Sequence, residues 1–589
     1  MRKWSALALV CLLCLTIVTP RTRVAATRSQ RGPKPYVPGQ IIVKLLADAP
    51  ELQYRDPLER ETAVSQMTLA SARSTESRRA EPVITTAGRG RMREIISERG
   101  LDRVFVLNVG ADTDLDAALK ELRARPDVEY AEPNYLIEPA SIVPSDPRFF
   151  DQWGLKNYGY LIDGNSATPG ADTHVTDAWE ITKGSRDVIV AVTDTGVDIT
   201  HPDLIDSIYT NPREIPGNGI DDDGDGYVDD VHGYNVGENN TDITDVFGHG
   251  TQIAGVIAAG IDNNIGIAGV AQASIMPVRF FRKTGPTPPQ FEATVVEATR
   301  ALVYAAAAGA DIINASWRSL GTVDEVTADQ LNLLQDAVYA TGDAGALLVS
   351  IAGNEGYNND NVKVYPGAFQ MPNQIVVAAS DFNDNIWRDD FYPFAVHSGF
   401  GPKTVAVAAP GVSIVTITPH GNCLLCSQSD DPVNWYTHAD GTSLSAAFVS
   451  GVAALVKAKY PNDNAFMLKA RILKSVDVLS QLAPYVSTSG RVNALAALNV
   501  QVQLNITPPV LNKVKFKAGK GKLTVTGASF QKGVRVIVGN KGYSPVSQED
   551  DNTAAVVKVP KTTFPAGVAV PIKLRNPDGG ESQTILLTQ

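Results

Sequence analysis

Val188-Ile189-Val190-Ala191-Val192-Thr193-Asp194-Thr195-Gly196-Val197 is the stretch on which the reading of this chain turns. Five consecutive apolar residues are what a parallel strand needs when helices cover both faces of its sheet. The run ends in Thr193-Asp194-Thr195-Gly196, a turn just past the carboxyl end of a strand, where open α/β sheets collect functional groups. Working outward, residues 268–277 lead into Val278-Arg279-Phe280, and the strand theme returns in Asp311-Ile312-Ile313-Asn314, Ala346-Leu347-Leu348-Val349-Ser350 and Gln374-Ile375-Val376-Val377-Ala378-Ala379. Helical patterns at 295–308 and 445–459 fall between or after these runs. The alternation predicts one doubly wound, mostly parallel α/β domain over 145–500.

Different patterns flank that domain. On its N-terminal side, Gly39-Gln40-Ile41-Ile42-Val43-Lys44-Leu45 reads as a strand, and 58–77 as a polar helical segment. A second strand, Arg103-Val104-Phe105-Val106-Leu107-Asn108-Val109, leads to a helix over 115–124. Val128-Glu129-Tyr130-Ala131-Glu132-Pro133-Asn134-Tyr135 closes a small α+β module within 27–144. On the other side, 505–589 holds short alternating runs such as Lys522-Leu523-Thr524-Val525 and Val534-Arg535-Val536-Ile537-Val538, separated by Gly, Pro, Asn and Asp. That pattern predicts an all-β sandwich.

The chain has 589 residues, too many for one ordinary domain, and its 44% hydrophobic content suffices for buried cores. A net charge of −12 argues against a nucleic-acid partner, which would need a basic face. Residues 1–26 read as a secretory signal: Met1-Arg2-Lys3, an apolar run over 4–18, then the small-residue patch Val24-Ala25-Ala26. No later stretch is long and apolar enough to span a bilayer. The expected location is extracellular or at the cell surface. Removal of the signal takes Cys11 and Cys14 with it, leaving Cys423 and Cys426 to close a local disulfide. A thioredoxin-like motif would carry aromatic and proline residues that this turn lacks, and a zinc site would need two more ligands.

Three residue types needed for nucleophilic catalysis sit at element ends. Asp194 follows a strand. His249 lies in Gly248-His249-Gly250-Thr251 at the start of an amphipathic helix. Ser443 lies in Gly441-Thr442-Ser443 at the start of another. Taken alone, each is ordinary, since aspartates cap turns and serines cap helices. Together they supply a nucleophile, a base to remove its proton and a carboxylate to orient that base. The helix start at Ser443 offers backbone N–H groups to a developing oxyanion, and Asn354 in Ala352-Gly353-Asn354-Glu355-Gly356 has the residue type of a second donor.

Asp221-Asp222-Asp223-Gly224-Asp225-Gly226-Tyr227-Val228-Asp229-Asp230 carries oxygen ligands at alternate positions and a glycine at the sixth, as calcium loops do. His232 stands at the twelfth position in place of the Glu of a complete EF-hand. Structural Ca²⁺ held by Asp221, Asp223, Asp225 and Asp229 is the expectation, and a solvated acidic turn is the alternative.

These boxes resemble the subtilases. Val192-Thr193-Asp194-Thr195-Gly196-Val197 with His201-Pro202-Asp203-Leu204 is similar to their aspartate box, Gly248-His249-Gly250-Thr251 to their histidine box, and Gly441-Thr442-Ser443 with Val449-Ser450-Gly451 to their serine box. The order is theirs too. The resemblance implies a serine endopeptidase acting on polypeptides through Asp194, His249 and Ser443. It makes Asn354 the side-chain donor of the oxyanion hole, and Ser316, Trp317, Arg318 and Gly353 residues of the substrate cleft. The α+β module, with its Val-Glu-Tyr-Ala-Glu-Pro-Asn ending, resembles an inhibitory propeptide that blocks the cleft and is removed autocatalytically between 136 and 145. The tail resembles an IPT/TIG immunoglobulin-like domain, a type that serves surface or substrate attachment, or acts as a spacer.

Departures from the family pattern stand out. Gln252 replaces a usual second histidine, and Leu444-Ser445-Ala446-Ala447-Phe448 replaces the usual Met-Ala-x-Pro-His. Arg318 stands where the cleft segment usually carries glycine. Two rival readings follow: a proteolytically inactive surface-binding protein, and a processing protease of narrow preference.

Overall fold

The computed structural model describes residues 11–12, 36–54, 56–67, 79–84, 91–109, 113–135, 143–284, 290–319, 331–389, 396–421, 423–429, 431, 435–503, 507–549 and 551–589. The signal-peptide reading therefore falls almost wholly outside the described residues, as do 136–142 of the expected processing region. The chain divides into two units, Arg23–Ala140 and Met1–Thr22 with Ser141–Gln589.

In the smaller unit, strands β1 (Tyr36–Leu45), β2 (Arg79–Pro82), β3 (Val104–Asn108) and β4 (Val128–Tyr135) form an antiparallel sheet of order β2-β3-β1-β4. Helices α1 (Pro57–Ser65), α2 (Arg91–Glu98) and α3 (Leu115–Arg123) accompany it. Asp114 starts α3 by accepting from the Ala117 N–H, and Leu115, Ala118, Leu119 and Leu122 line its buried face at helical spacing. They join Ile41, Val43, Phe105 and Leu107 in one core.

The larger unit is built on a nine-stranded sheet. Its members are β5 (Gly184–Asp194), β6 (Tyr234–Asn235), β7 (Gln272–Arg279), β8 (Ile312–Ala315), β9 (Leu347–Ile351), β10 (Gln374–Ser380), β11 (Val407–Pro410), β12 (Asp477–Val478) and β13 (Gly490–Arg491). The order is β12-β13-β11-β10-β9-β8-β5-β7-β6, parallel except for β12. From β5 the chain builds first toward β7 and β6, then crosses to β8 and continues the other way. The switch point lies at the carboxyl end of β5, beside Asp194.

Alternation along each strand sends side chains into two cores. Val190, Val192, Ile312, Leu347 and Val349 join one; Ala191, Ile313 and Leu348 join the other. The first core is filled by α4 (His249–Ala258) and α7 (Thr442–Lys459), the second by α5 (Val295–Ala307) and α6 (Asn332–Asp343). Burial on both faces is the reason these strands read as unbroken apolar runs. The predicted α/β architecture is observed.

Residues 510–587 form two four-stranded antiparallel sheets that share one core, with Leu523, Val525 and Val557 from one and Val536, Ile572 and Leu574 from the other. This tail belongs to the larger unit. Arg535 pairs with Asp343 at the end of α6, and Gly533 lies against Tyr339 and Met371.

Candidate active site

Asp194 ends β5, buried, with Oδ1 accepting from the Thr195 N–H at 2.8 Å. His249 opens α4, and its Nδ1 lies 2.8 Å from Oδ1 and 2.9 Å from Oδ2 of Asp194. Such contact fixes the imidazole with its Nδ1–H toward the carboxylate and its Nε2 outward. The approach of α4 to the aspartate turn requires Gly250: a Cβ there would stand 2.1 Å from the Gly196 carbonyl oxygen. Burial works against the imidazolium, but the charge and hydrogen bond of Asp194, with Asp245 beyond, outweigh it. The His249 pKa is raised above 6.5.

Asp245 escaped the sequence reading. Its Oδ1 accepts from Thr195 Oγ1 at 2.9 Å and from the Gly248 N–H at 2.7 Å; its Oδ2 accepts from the Thr251 N–H and Oγ1 at 2.9 and 2.7 Å. Burial raises its pKa, and the bonds from Gly248 and Thr251 act in the opposite direction. An acid four residues before His249, in front of a glycine-framed helix start, was the available signal.

Ser443 lies in the first turn of α7, where N–H groups and the helix dipole present positive potential. Lys457 and Lys459 complement the other end of that helix. In the conformation seen, Ser443 Oγ donates a long 3.5 Å bond to the Ser316 carbonyl, while Ser316 Oγ donates to the Ser443 carbonyl at 3.0 Å. Among the described residues Ser443 forms no hydrogen bond to His249. Asn354 Oδ1 accepts from the Thr442 N–H at 3.0 Å and Oγ1 at 2.7 Å, which turns its amide NH₂ away from Thr442. The altered serine box still makes a regular, buried helix, with Phe448 packed on Gly154.

The four expected cleft residues divide. Ser316, Arg318 and Gly353 gather beside Ser443 and Asn354. The Trp317 side chain turns inward instead, with Nε1 donating to Thr193 Oγ1 at 3.0 Å and its ring edge-on to Phe280. The apolar indole is better packed in the core than exposed at a strand end.

The acidic loop also differs in detail from the expected ligand set. Glu214, Asp221 and Asp223 bring carboxylate oxygens within 4.8 Å of one another. Glu214 lies upstream of the motif and was missed. Asp225 Oδ1 accepts from the Tyr227 N–H and Asp229 from the Asn218 and Gly219 N–H groups, as Asp221 does from Gly224 and Gly226 and Glu214 Oε1 from Asp222, while Asp223 also pairs with Arg213 at 2.9 Å. Among the described residues the buried Glu214 Oε2 has no hydrogen-bond partner. Burial and the negative charges of Asp223 and Asp221 raise the Asp225 pKa. This donor set suits a hard cation.

Cys423 and Cys426 form a disulfide. Its loop lies against the helix start that bears His249: Leu424 and Leu425 N–H groups donate to the Val246 and Phe247 carbonyls at 3.2 and 2.9 Å, and Cys423 Sγ faces Gly248.

Comparison with known proteins adds to this geometry. The pattern of the Subtilase family, Peptidase S8, matches residues 185–509. The thermophilic serine proteinase of Bacillus sp. (strain AK1) is 32% identical over 405 residues, 68% of this chain and 80% of that protein. Thermitase of Thermoactinomyces vulgaris is 32% identical over 322 residues, 54% of this chain and 91% of that one. Subtilisin-like protease 1 of Plasmodium vivax is 27% identical over 347 residues, 56% of this chain and 50% of its own length. With a family match over more than half of its length and these relatives, the chain belongs to the subtilase family and is a subtilisin-like serine endopeptidase.

Proposed function

We propose that Ser443 is the nucleophile, His249 the general base and Asp194 the residue that orients and charges that base. Ser443 rotates from the Ser316 carbonyl toward His249 Nε2, gives up its proton there and bonds to the carbonyl carbon of the scissile peptide. The oxyanion is held by the Asn354 NH₂ and the Ser443 N–H. His249 then protonates the departing amine, and water hydrolyses the acyl-enzyme by the same route in reverse. The contact of His249 Nδ1 with both Asp194 oxygens carries this reading.

Residues 27–144 hold the propeptide, an intramolecular inhibitor that the enzyme removes from itself. The chain is exported. Its tail, which resembles an IPT/TIG domain, serves surface or substrate attachment or acts as a spacer. Ca²⁺ at Glu214, Asp221 and Asp223 would neutralise their mutual repulsion and brace the loop. Among the described residues no helix is long and apolar enough to cross a membrane.

The test is expression of the precursor beside Ser443→Ala, following chain mass and casein digestion. Wild type that sheds its N-terminal unit and digests casein, while the mutant does neither, supports both catalysis and self-processing. Identical behaviour of the two overturns the assignment and favours a binding protein.

A further inference from the structure

The C-terminal sheets carry charge of the opposite sign to the chain as a whole. Residues 505–589 hold twelve Lys and Arg against five Asp and Glu, in a protein whose net charge is −12. Much of that excess lies on one sheet, built from Val510–Lys517, Lys522–Ala528, Ala554–Lys558 and Ser547–Gln548 in that order. Register places Lys517 directly opposite Lys522, and Lys522 directly opposite Lys558. Phe516, Leu523 and Val557, next to them in the chain, belong to the sandwich core, so the three lysines form a row on the outer face. Lys520 in the connecting turn extends the row at the same end, as does Lys561, whose Cγ lies 3.8 Å from where a Cβ on Gly521 would stand. All five lysines are exposed.

Folding alone does not account for this row. Like charges directly opposite on adjacent strands destabilise a sheet. A lysine on an edge strand wards off pairing with another chain, which explains Lys517. Lys522 has a strand on either side and needs no such protection. Among the described residues none of the five lysines pairs with a carboxylate: Glu581 is taken by Lys573 and Arg575, and Asp551 by the Thr553 N–H and hydroxyl. A partner bearing repeated negative charge relieves the repulsion and adds attraction.

The shape of the face selects among polyanions. Opposed Cβ atoms in the row stand about 5 Å apart. Lys515 adds a charge two residues, roughly 7 Å, along the strand from Lys517. An open, flat array of this kind matches a chain of spaced charges, whereas a single small ligand calls for a concavity. The next row inward is Lys515, Thr524 and the half-buried Val556. It offers no ring on which a base could stack and no large exposed apolar group to enter a bilayer.

We infer that the outer face of this sheet, centred on Lys517, Lys522 and Lys558, binds a linear acidic polysaccharide bearing carboxylate or sulfate groups. The inference rests on the attachment reading of the tail and asks nothing of Ser443, His249 or Asp194.

The experiment measures binding of the full chain, in a Ser443→Ala background that keeps it intact, to immobilised heparin and polygalacturonate at about 0.15 M salt. Binding to either is the expected result, and which of the two binds tells sulfate from carboxylate. Lys517→Thr/Lys522→Thr/Lys558→Thr, with a residue suited to strands, should weaken it by at least about 10-fold and make it less sensitive to salt. Replacing Lys363, Lys403 and Lys541, exposed lysines away from the face, by Thr should leave it unchanged. Without polysaccharide the row variant should melt no lower than its parent, because the opposed charges are gone. Lys520→Thr/Lys561→Thr lies outside the strands and should also weaken binding, which keeps the question answerable if the row variant does not fold. Failure to bind either polysaccharide, unchanged affinity in a folded row variant, or an equal loss in the variant with distant lysines replaced overturns the inference. Tighter binding to duplex DNA or to phosphatidylserine vesicles overturns the choice of partner. Cosedimentation of the chain with insoluble casein or cellulose decides separately whether the tail attaches at all.

Discussion

Thr195 Oγ1 donates to Asp245 Oδ1 at 2.9 Å, and through that bond the turn carrying Asp194 is fastened to the helix start carrying His249. The same carboxylate receives Gly248 and Thr251, and Thr195 Oγ1 in turn accepts from the Gly250 N–H at 3.1 Å. Asp245 touches no reacting atom, so it is a positioning residue. Asp245→Ala is expected to lower kcat by about 10²-fold with little change in KM, since misplacement of a catalytic group by about 1 Å costs that much. Asp245→Asn, which retains one acceptor, should recover part of the loss. Active-site titration and circular dichroism check that the variant is folded, because an unfolded fraction would also lower apparent kcat at unchanged KM; a fall in kcat that disappears after correction for the active fraction overturns the positioning role.

Asn354→Ala tests the oxyanion donor. The expected fall in kcat is about 10²–10³-fold, a magnitude measured on subtilisin, a member of the same family. Steady-state kinetics on a tetrapeptide anilide reads it directly. A loss confined to KM would mean that Asn354 holds substrate and transition state equally well and gives the oxyanion no additional stabilisation.

Acidity reports on the Asp194–His249 contact. Only the neutral imidazole accepts the Ser443 proton, so activity is lost as pH falls through the His249 pKa. Because that pKa is raised, the acid limb of kcat/KM should have its midpoint above 6.5. Asp194→Asn removes the attraction and leaves burial, which opposes protonation. Its residual activity should therefore show a midpoint shifted downward.

Calcium binding at the acidic loop predicts a stability effect with a specific residue dependence. Saturating Ca²⁺ at a hundred times its Kd contributes about 2.7 kcal/mol, or roughly 3–4 °C in thermal midpoint for a domain of this size. EDTA should remove that increment from wild type and leave Glu214→Gln unchanged, as measured by calorimetry. An EDTA effect of equal size in both proteins would place the cation elsewhere.

Much of the architecture was legible because parallel strands buried on both faces must be apolar throughout. Val188-Ile189-Val190-Ala191-Val192 and Ala346-Leu347-Leu348-Val349 announce themselves on that ground. Strand β2, Arg-Ala-Glu-Pro, carries no such signal, since only Ala80 of its four residues is buried. The two-residue strand Tyr234–Asn235 is too short for periodicity to register. Asp194, His249, Asn354 and Ser443 stand at element ends with glycines around them, which made the Asp194–His249 contact and the approach of Asn354 to the turn bearing Ser443 legible. Glu214 and Asp245 could not be anticipated in the same way, because their roles depend on which backbone N–H groups the folded loops turn toward them. Trp317 shows the converse: the sequence places it in the cleft segment, and packing against Phe280 sends its indole inward.

The pairing of Leu424 and Leu425 with Val246 and Phe247 bears on when the protease becomes dangerous. Asp194 meets His249, and Asn354 meets Thr442 next to Ser443, across wide separations in the chain, and the brace on the histidine helix is supplied from beyond residue 423. A nascent chain that has emerged as far as Asn354 lacks both this brace and the nucleophile. If Ser443 is the nucleophile as proposed, every fragment that stops short of it lacks the attacking group, so the order of synthesis itself withholds activity until most of the polypeptide has been made.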